Sequence, residues 1–339
     1  MIRLMGYAMS LSRAAVAGLM MLLAGVLSAE IRIGIVGTDT SHALQFAKLL
    51  QGDGPDRVSG ARIVAAYKGG SPDIPNSANR VDGFAAELAS TYGVALCETI
   101  EEVVAQADAI MILSLDGRRH LEQARKVFPS GKPVFVDKPV AASVADAVTL
   151  FDLARAQGVP CFSASLLRFG PGMEKLRSAP IGRVQGAFSY GPAATEPHHP
   201  DLFWYGIHAV EALYAVMGTG CVRVIRTHTP DADIVTGTWA DGRTGTIRGN
   251  RNGVSDFGLI VFGTKAIAVR ERGRGYTPLL QEIVRFFQTG TPPVSAEEAI
   301  EVLAFMEAAD ESKRRDGIPV ELVEVMPPQS SFRGEHPSP

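Results

Sequence analysis

Apolar and polar positions alternate in two distinct styles along this chain. From residue 31 to about 165, short fully apolar runs are separated by amphipathic stretches of helical length. Ile31–Val36, Arg62–Ala66, Val94–Cys97, Ala109–Leu113, Pro133–Val136 and Pro160–Ser163 read as strands. Their near-continuous apolar character is that of strands buried on both faces. Ser41–Leu50, Val81–Tyr92, Ile100–Ala107, Arg118–Phe128 and Ser143–Gln157 read as helices; Ala43, Phe46, Ala47 and Leu50 share one face of the first. Tyr67–Asn79, broken by glycines and prolines, reads as a loop. Such alternation predicts a parallel sheet with helices on both faces.

After Arg168 the style changes. Val184–Tyr190, Val222–His228, Ile234–Trp239, Thr244–Arg248, Phe257–Phe262 and Ala266–Arg270 read as strands joined by tight turns such as Asp241-Gly242. This predicts an open, mostly antiparallel sheet. Helices are expected over Trp204–Met217, Pro278–Gln288 and Ser295–Lys313, on one face of that sheet. The fold class is therefore α/β: an N-terminal Rossmann-like parallel sheet and a C-terminal α+β domain. The expected divisions are 1–29, 30–165, 166–325 and a proline-rich tail, 326–339.

The first segment has its own chemistry. Arg3 and Arg13 precede the uncharged run Ala14–Leu27, and Leu27-Ser28-Ala29 is a small-residue exit. This is the pattern of a secretory signal peptide cleaved near Ala29, and the twin-arginine signature is absent. The mature protein is then expected in the periplasm or outside the cell, detached from the membrane. Export by this route proceeds unfolded, so any cofactor is acquired after crossing. The chain carries 33 Lys+Arg against 36 Asp+Glu, a net charge of −3, which gives no basic footprint for nucleic acid. The three cysteines, Cys97, Cys161 and Cys221, are far apart and odd in number; buried free thiols are the default.

Several segments carry a family resemblance by their order and spacing: strand-Gly37-Thr38-Asp39-Thr40-Ser41-His42, then Ala109–His120, Gly131 to Pro139 with Val136-Asp137-Lys138-Pro139, Arg168-Phe169-Gly170-Pro171, Ile181-Gly182-Arg183-Val184, and Gly206-Ile207-His208. Together they resemble the Gfo/Idh/MocA family of oxidoreductases over about residues 31–315. The resemblance implies hydride exchange between NAD or NADP and a sugar or polyol hydroxyl. Lys138 would be the family's lysine, a cation that favours an alkoxide-like transition state. His208 would be its histidine, which moves the substrate proton. The resemblance also implies cofactor contacts from Gly37, Thr38, Asp39, Thr40, Ser41, His42, Lys68, Ser114, His120, Asp137 and Arg168, and a homo-oligomer.

The pattern departs from the family at three places. The dinucleotide fingerprint G-x-G-x-x-G keeps only Gly37; Asp39 and His42 replace the second and third glycines. A carboxylate at the second position would repel phosphate, so weak dinucleotide affinity is expected, tightened by glycine at both positions. After the second strand stand Tyr67 and Lys68 rather than an acid; Lys68 suits a 2′-phosphate or is simply solvated. Trp204 stands where the family has an Asp one turn before the histidine, leaving Asp201 or Glu211 as substitutes. Trp204 and Tyr205 are expected to form a stacking wall for a sugar, and His198, His199 and Asp201 a polar substrate loop; no metal is expected there. Two other functions stay open: a cofactor-independent lyase or hydratase acting on an oxidised sugar, and a non-catalytic sugar-binding protein.

Overall fold

The computed structural model describes residues 30–254, 256–270 and 275–328; the expected signal segment and most of the tail lie outside them. The described residues from Ile31 to 328 form one compact unit built on two sheets.

The first sheet consists of β1 (Ile31–Val36), β2 (Ala61–Tyr67), β3 (Ala95–Cys97), β4 (Ala109–Ile112), β5 (Val134–Val136) and β6 (Cys161–Ser163). Its order is β3-β2-β1-β4-β5-β6, parallel throughout. This is the doubly wound order whose strand direction of travel reverses between β1 and β4. The helices between the strands are α1 (Ser41–Gln51), α2 (Pro75–Ala78), α3 (Val81–Tyr92), α4 (Ile100–Gln106), α5 (His120–Val127) and α6 (Val144–Ala156). Side-chain caps start three of them: Thr40, Thr99 and Ser143 accept amide hydrogens of the first turn. The stretch Tyr67–Asn79 is not wholly loop. It contains α2, which proline can open because the first-turn N–H has no partner to lose.

After α7 (Met173–Arg177) and β7 (Val184–Pro192), the expected helix over 204–217 is split. It becomes α8 (Asp201–Trp204) and α9 (Ile207–Met217), broken at Tyr205-Gly206. The second sheet is completed by β8 (Cys221–His228), β9 (Ala232–Trp239), β10 (Thr244–Asn250), β11 (Gly258–Gly263), β12 (Ile267–Val269) and a two-residue edge strand β13 (Val320–Glu321). Its order is β12-β11-β7-β10-β9-β8-β13. All pairs are antiparallel except β7 with β10, which run parallel because β7 enters from the first sheet and is flanked later. Among the described residues no helix is long and apolar enough to cross a membrane.

Two late helices, α10 (Thr277–Thr289) and α11 (Ala296–Arg314), tie the sheets together. Leu279, Leu280, Ile283 and Phe286 of α10 are buried with Ile33, Ile35, Phe46, Phe135 and Phe162 of the first sheet's layer. The sequence assigns α10 to the second sheet. Its amphipathic stripe establishes that one face is buried, but not against which partner. Helix α11 buries Ile300, Leu303 and Phe305 in the core shared by α6, α9 and the second sheet. The carboxyl ends of β1, β4 and β5 thereby face α9 across a cleft.

Candidate active site

The cleft has a volume of about 390 Å³ and lies at the strand-order reversal, where open α/β sheets bind ligands. Thr40, Ser41 and His42 enter it from the start of α1, Leu115 from beyond β4, and Lys138 from beyond β5. Asn76 and Arg80 come from the segment around α2. Leu166 and Leu167 come from the turn after β6, and Trp204, Tyr205 and His208 from α8 and α9. Phe257, Gly275 and Tyr276 close the far side. Lys138 and His208, remote in sequence, thus line one cleft.

His208 sits in the first turn of α9. Its Nδ1 lies 2.7 Å from Ser165 Oγ, which also accepts the Leu167 N–H. Burial pushes the His208 pKa well below its ordinary 6.5, and the Lys138 ammonium adds to the shift. Among the described residues no carboxylate bonds His208. Glu211, one candidate partner, instead pairs with Arg168 at 2.6 Å. Asp201, the other, pairs with Arg226 at 2.9 Å and Lys313 at 2.6 Å. Around His208 the Tyr205 ring packs edge-on at 5.0 Å and the Phe257 ring at 5.7 Å. A depressed imidazole pKa has a signature in stability. The unfolded chain binds the proton more readily, so His208's contribution is complete above about pH 6.5 and is lost as pH falls below it. His208→Gln should therefore lose less stability than the native protein between pH 7.5 and 5, as read by urea unfolding at each pH.

A second imidazole enters the cleft at the third fingerprint position. His42 Nδ1 lies 2.7 Å from Asp137 Oδ2, and both side chains are buried. Burial alone would raise the Asp137 pKa, but His42 and Lys138 hold it well below the usual carboxylate range. The other Asp137 oxygen accepts the Lys138 backbone N–H at 2.8 Å. Tyr276 packs edge-on against His42 at 5.0 Å and Phe46 lies at 5.6 Å.

The remaining expected contacts are redistributed. Asp39 does not face the cleft. Its carboxylate is fully buried, accepting Ser77 Oγ–H at 2.5 Å and Leu115 N–H at 3.1 Å. It clamps the β1, β4 and α2 loops together, and burial raises its pKa. The expected phosphate repulsion is thus turned inward. Asp39→Gly should not tighten dinucleotide binding; it leaves two buried donors without an acceptor and should cost about 2–4 kcal/mol, read by denaturant unfolding alongside calorimetric titration.

Thr38 is also buried, donating from its N–H and hydroxyl to Lys68 O. Lys68 itself is exposed on Asp82 at 2.6 Å, outside the cleft. Ser114 lies behind Gly37, its Oγ accepting from Gln123. His120 is a buried brace, with Nε2 2.8 Å from Ser114 O and Nδ1 2.9 Å from Pro139 O. Arg168, expected beside the cofactor, is buried between Glu211 and Glu298. His199 lies 3.2 Å from buried Asp116, and His198 bonds Glu196 at 2.7 Å. His199 thus lies against the β4 loop and His198 bonds within its own loop, and neither lines the cleft. Among the described residues no group of three His, Cys, Asp or Glu could hold a metal ion.

Trp204 and Tyr205 do line the cleft. Sequence reasoning missed Asn76, Arg80, Phe257 and Tyr276. Of these only Arg80, a cation just before α3, carries a signal recognisable beforehand.

A doubly wound parallel sheet with a polar cleft at its reversal point, backed by a second sheet, defines a Rossmann-type ligand-binding protein. Residues 31–165 match the Gfo/Idh/MocA model, an oxidoreductase family with an NAD-binding Rossmann fold, and that match supports an oxidoreductase of this kind. Inositol 2-dehydrogenase of Cereibacter sphaeroides is 29% identical over 131 residues, 38% of this chain and 34% of that protein. The chain thus spans about a third of the length of that curated relative. Among solved structures, scyllo-inositol dehydrogenase of Lactobacillus casei superposes with a TM-score of 0.71 at 17% identity, over 87% of this chain and 99% of that one. The myo-inositol dehydrogenase of Lactobacillus casei, in complex with NAD(H) and myo-inositol, gives 0.69 at 16%, over 86% and 96%. At these identities the superpositions establish the fold.

The donors at this edge of the sheet suit a diphosphate, though not through the glycine fingerprint. With Asp39 turned inward, the amino end of α1 presents Thr40 and Ser41 to the cleft, and Arg80 lines the same wall. A helix amino terminus and a guanidinium both favour a diphosphate.

Proposed function

We propose that this protein is an NAD(P)-dependent oxidoreductase acting on a secondary hydroxyl of a sugar or polyol. The observation that carries it is the meeting of Lys138 and His208 in one cleft with an aromatic wall, at the carboxyl edge of a Rossmann sheet. Thr40, Ser41 and Arg80 would hold the diphosphate. When bound, the nicotinamide supplies the hydride acceptor.

The rest of the chemistry belongs to the chain. Trp204, Tyr205 and Tyr276 offer apolar faces to a ring, while Asn76 and the charged groups meet its hydroxyls. The Lys138 ammonium lowers the cost of negative charge on the reacting oxygen. His208, kept neutral by burial, hydrogen-bonds the same hydroxyl and fixes its orientation. The exported location expected from residues 1–29 is part of this reading, and fractionation of the native host tests it: mature protein outside the cytoplasm supports it.

The direct test incubates the purified protein with NAD⁺ or NADP⁺ and a panel of inositols and aldoses, following nicotinamide absorbance at 340 nm. Reduction with at least one polyol is expected. A protein that binds neither nucleotide by calorimetry, yet eliminates water from a keto-inositol, would establish the lyase alternative instead.

A further inference from the structure

We propose that His42, held by Asp137, is the general base of this cleft, taking the proton of the substrate hydroxyl; this rests on the dehydrogenase reading above. Three observations converge on it. First, the carboxylate–imidazole pair expected on α9 is missing, because Trp204 stands one turn before His208 and both acidic substitutes are engaged elsewhere. Second, a carboxylate–imidazole pair exists on the opposite wall, His42 Nδ1 to Asp137 Oδ2 at 2.7 Å, both buried. Third, His42 and His208 line the same cleft as Lys138, close enough for their charges to interact.

The two imidazoles are not equivalent. His208 faces a serine hydroxyl, and burial together with Lys138 and His42 opposes its protonation. His42 faces an ionised carboxylate, which fixes the ring and stabilises the imidazolium formed when Nε2 takes a proton. Nδ1 is the ring nitrogen beside Asp137, at ion-pair distance without an aligned hydrogen bond, and Nε2 is the nitrogen assigned to the substrate proton.

The step balances simply. The substrate O–H bond breaks and its proton passes to His42 Nε2. The carbinol C–H bond breaks and its electron pair leaves with hydrogen as hydride to the oxidised nicotinamide, while the carbon–oxygen double bond forms. Lys138 neutralises the oxygen between these events. The third fingerprint position, occupied by glycine for packing in the usual pattern, here carries the base. The other titratable or charged groups around it are Lys138 beyond β5, His208 on α9, Tyr276 ahead of α10, and Tyr205 and Arg80 lining the cleft.

The test compares the full-length protein with His42→Gln and Asp137→Asn by two independent readouts. The first is kcat and KM against pH with myo-inositol and NAD⁺. Loss of the base should lower kcat by about 10²-fold or more, with KM changed much less. His42→Gln and Asp137→Asn should each change the shape of the kcat profile against pH. A wild-type-shaped profile with kcat within about threefold in His42→Gln overturns the inference. The second readout needs neither turnover nor a folded variant: ¹⁵N resonances of the wild-type imidazoles, with myo-inositol added to tens of millimolar. Movement of the His42 Nε2 resonance supports the inference; an unmoved one overturns it. Failure of the dehydrogenase reading is separately visible, as absence of nicotinamide reduction by the wild-type protein.

Discussion

Lys138→Met should lower kcat/KM for polyol oxidation by about 10²–10³-fold while leaving the melting temperature within a few degrees of native. The turn beyond β5 is fixed by its backbone, with Lys138 N–H on Asp137 Oδ1 at 2.8 Å, so the substitution changes charge with little change in shape. Methionine retains the apolar stem and fills the same volume. What it removes is a cation in a cleft largely shielded from water, where Lys138 is only 8% exposed and charge interactions are weakly screened. A charge developing on the reacting oxygen then has no fixed partner. The substitution has a second, independent consequence. Lys138 is one of the groups that oppose protonation of His208, so the His208 pKa should rise in the variant, measurable by NMR titration. Retained kcat/KM within about threefold, together with a raised His208 pKa, would place Lys138 in the cleft but outside the chemistry.

The parts of this site legible in the sequence are those fixed by local order along the chain. A strand end places Lys138, and a helix start places His208. The doubly wound alternation then brings the strand end to the crest of the sheet, where a second domain must close over it. Residue types alone do not give the direction of a side chain at a loop. Asp39 at a glycine position suggests repulsion of phosphate; in the fold its carboxylate finds two buried donors, Ser77 and Leu115, and turns inward. His42 looks like a packing defect until Asp137, distant in sequence, lies beside it. The contributions of Asn76, Arg80 and Tyr276 depend on how loops fold over the crest, which no periodicity encodes. The buried Arg168 and the paired Asp201 show the converse. Charged residues near a motif were satisfied by carboxylates or cations from α11 and β8, as desolvated charges must be.

Gly37→Ala should destabilise the protein by about 2–5 kcal/mol, whereas Gly83→Ala should stabilise it by about 0.5–1 kcal/mol. Gly37 is the fingerprint glycine that survives, and its backbone explains why. Its φ is +95°, a conformation that side chains with a Cβ rarely adopt. A Cβ there would lie 2.3 Å from Ser114 Oγ, 2.5 Å from Ser114 N and 2.6 Å from Ser114 Cα. Retreat is blocked on both sides. Gly37 N–H is bonded to Tyr67 O at 2.9 Å, and Leu113 N–H to Val36 O at 2.7 Å. Gly69 presses on Gly37 Cα from the β2 loop, where a Cβ would come within 3.2 Å. Strain at Gly37 therefore moves the β4 crossing, and with it Leu115, the Asp39 clamp and the cleft wall. Gly83, inside α3, is exposed and a Cβ there meets nothing within 4 Å, so only the helix-propensity gain remains. Denaturant unfolding of both variants measures the contrast. A Gly37→Ala protein as stable as the native one would mean that the β1 and β4 loops do not meet as closely as the geometry requires, and the position of Leu115 in the cleft would fall with it.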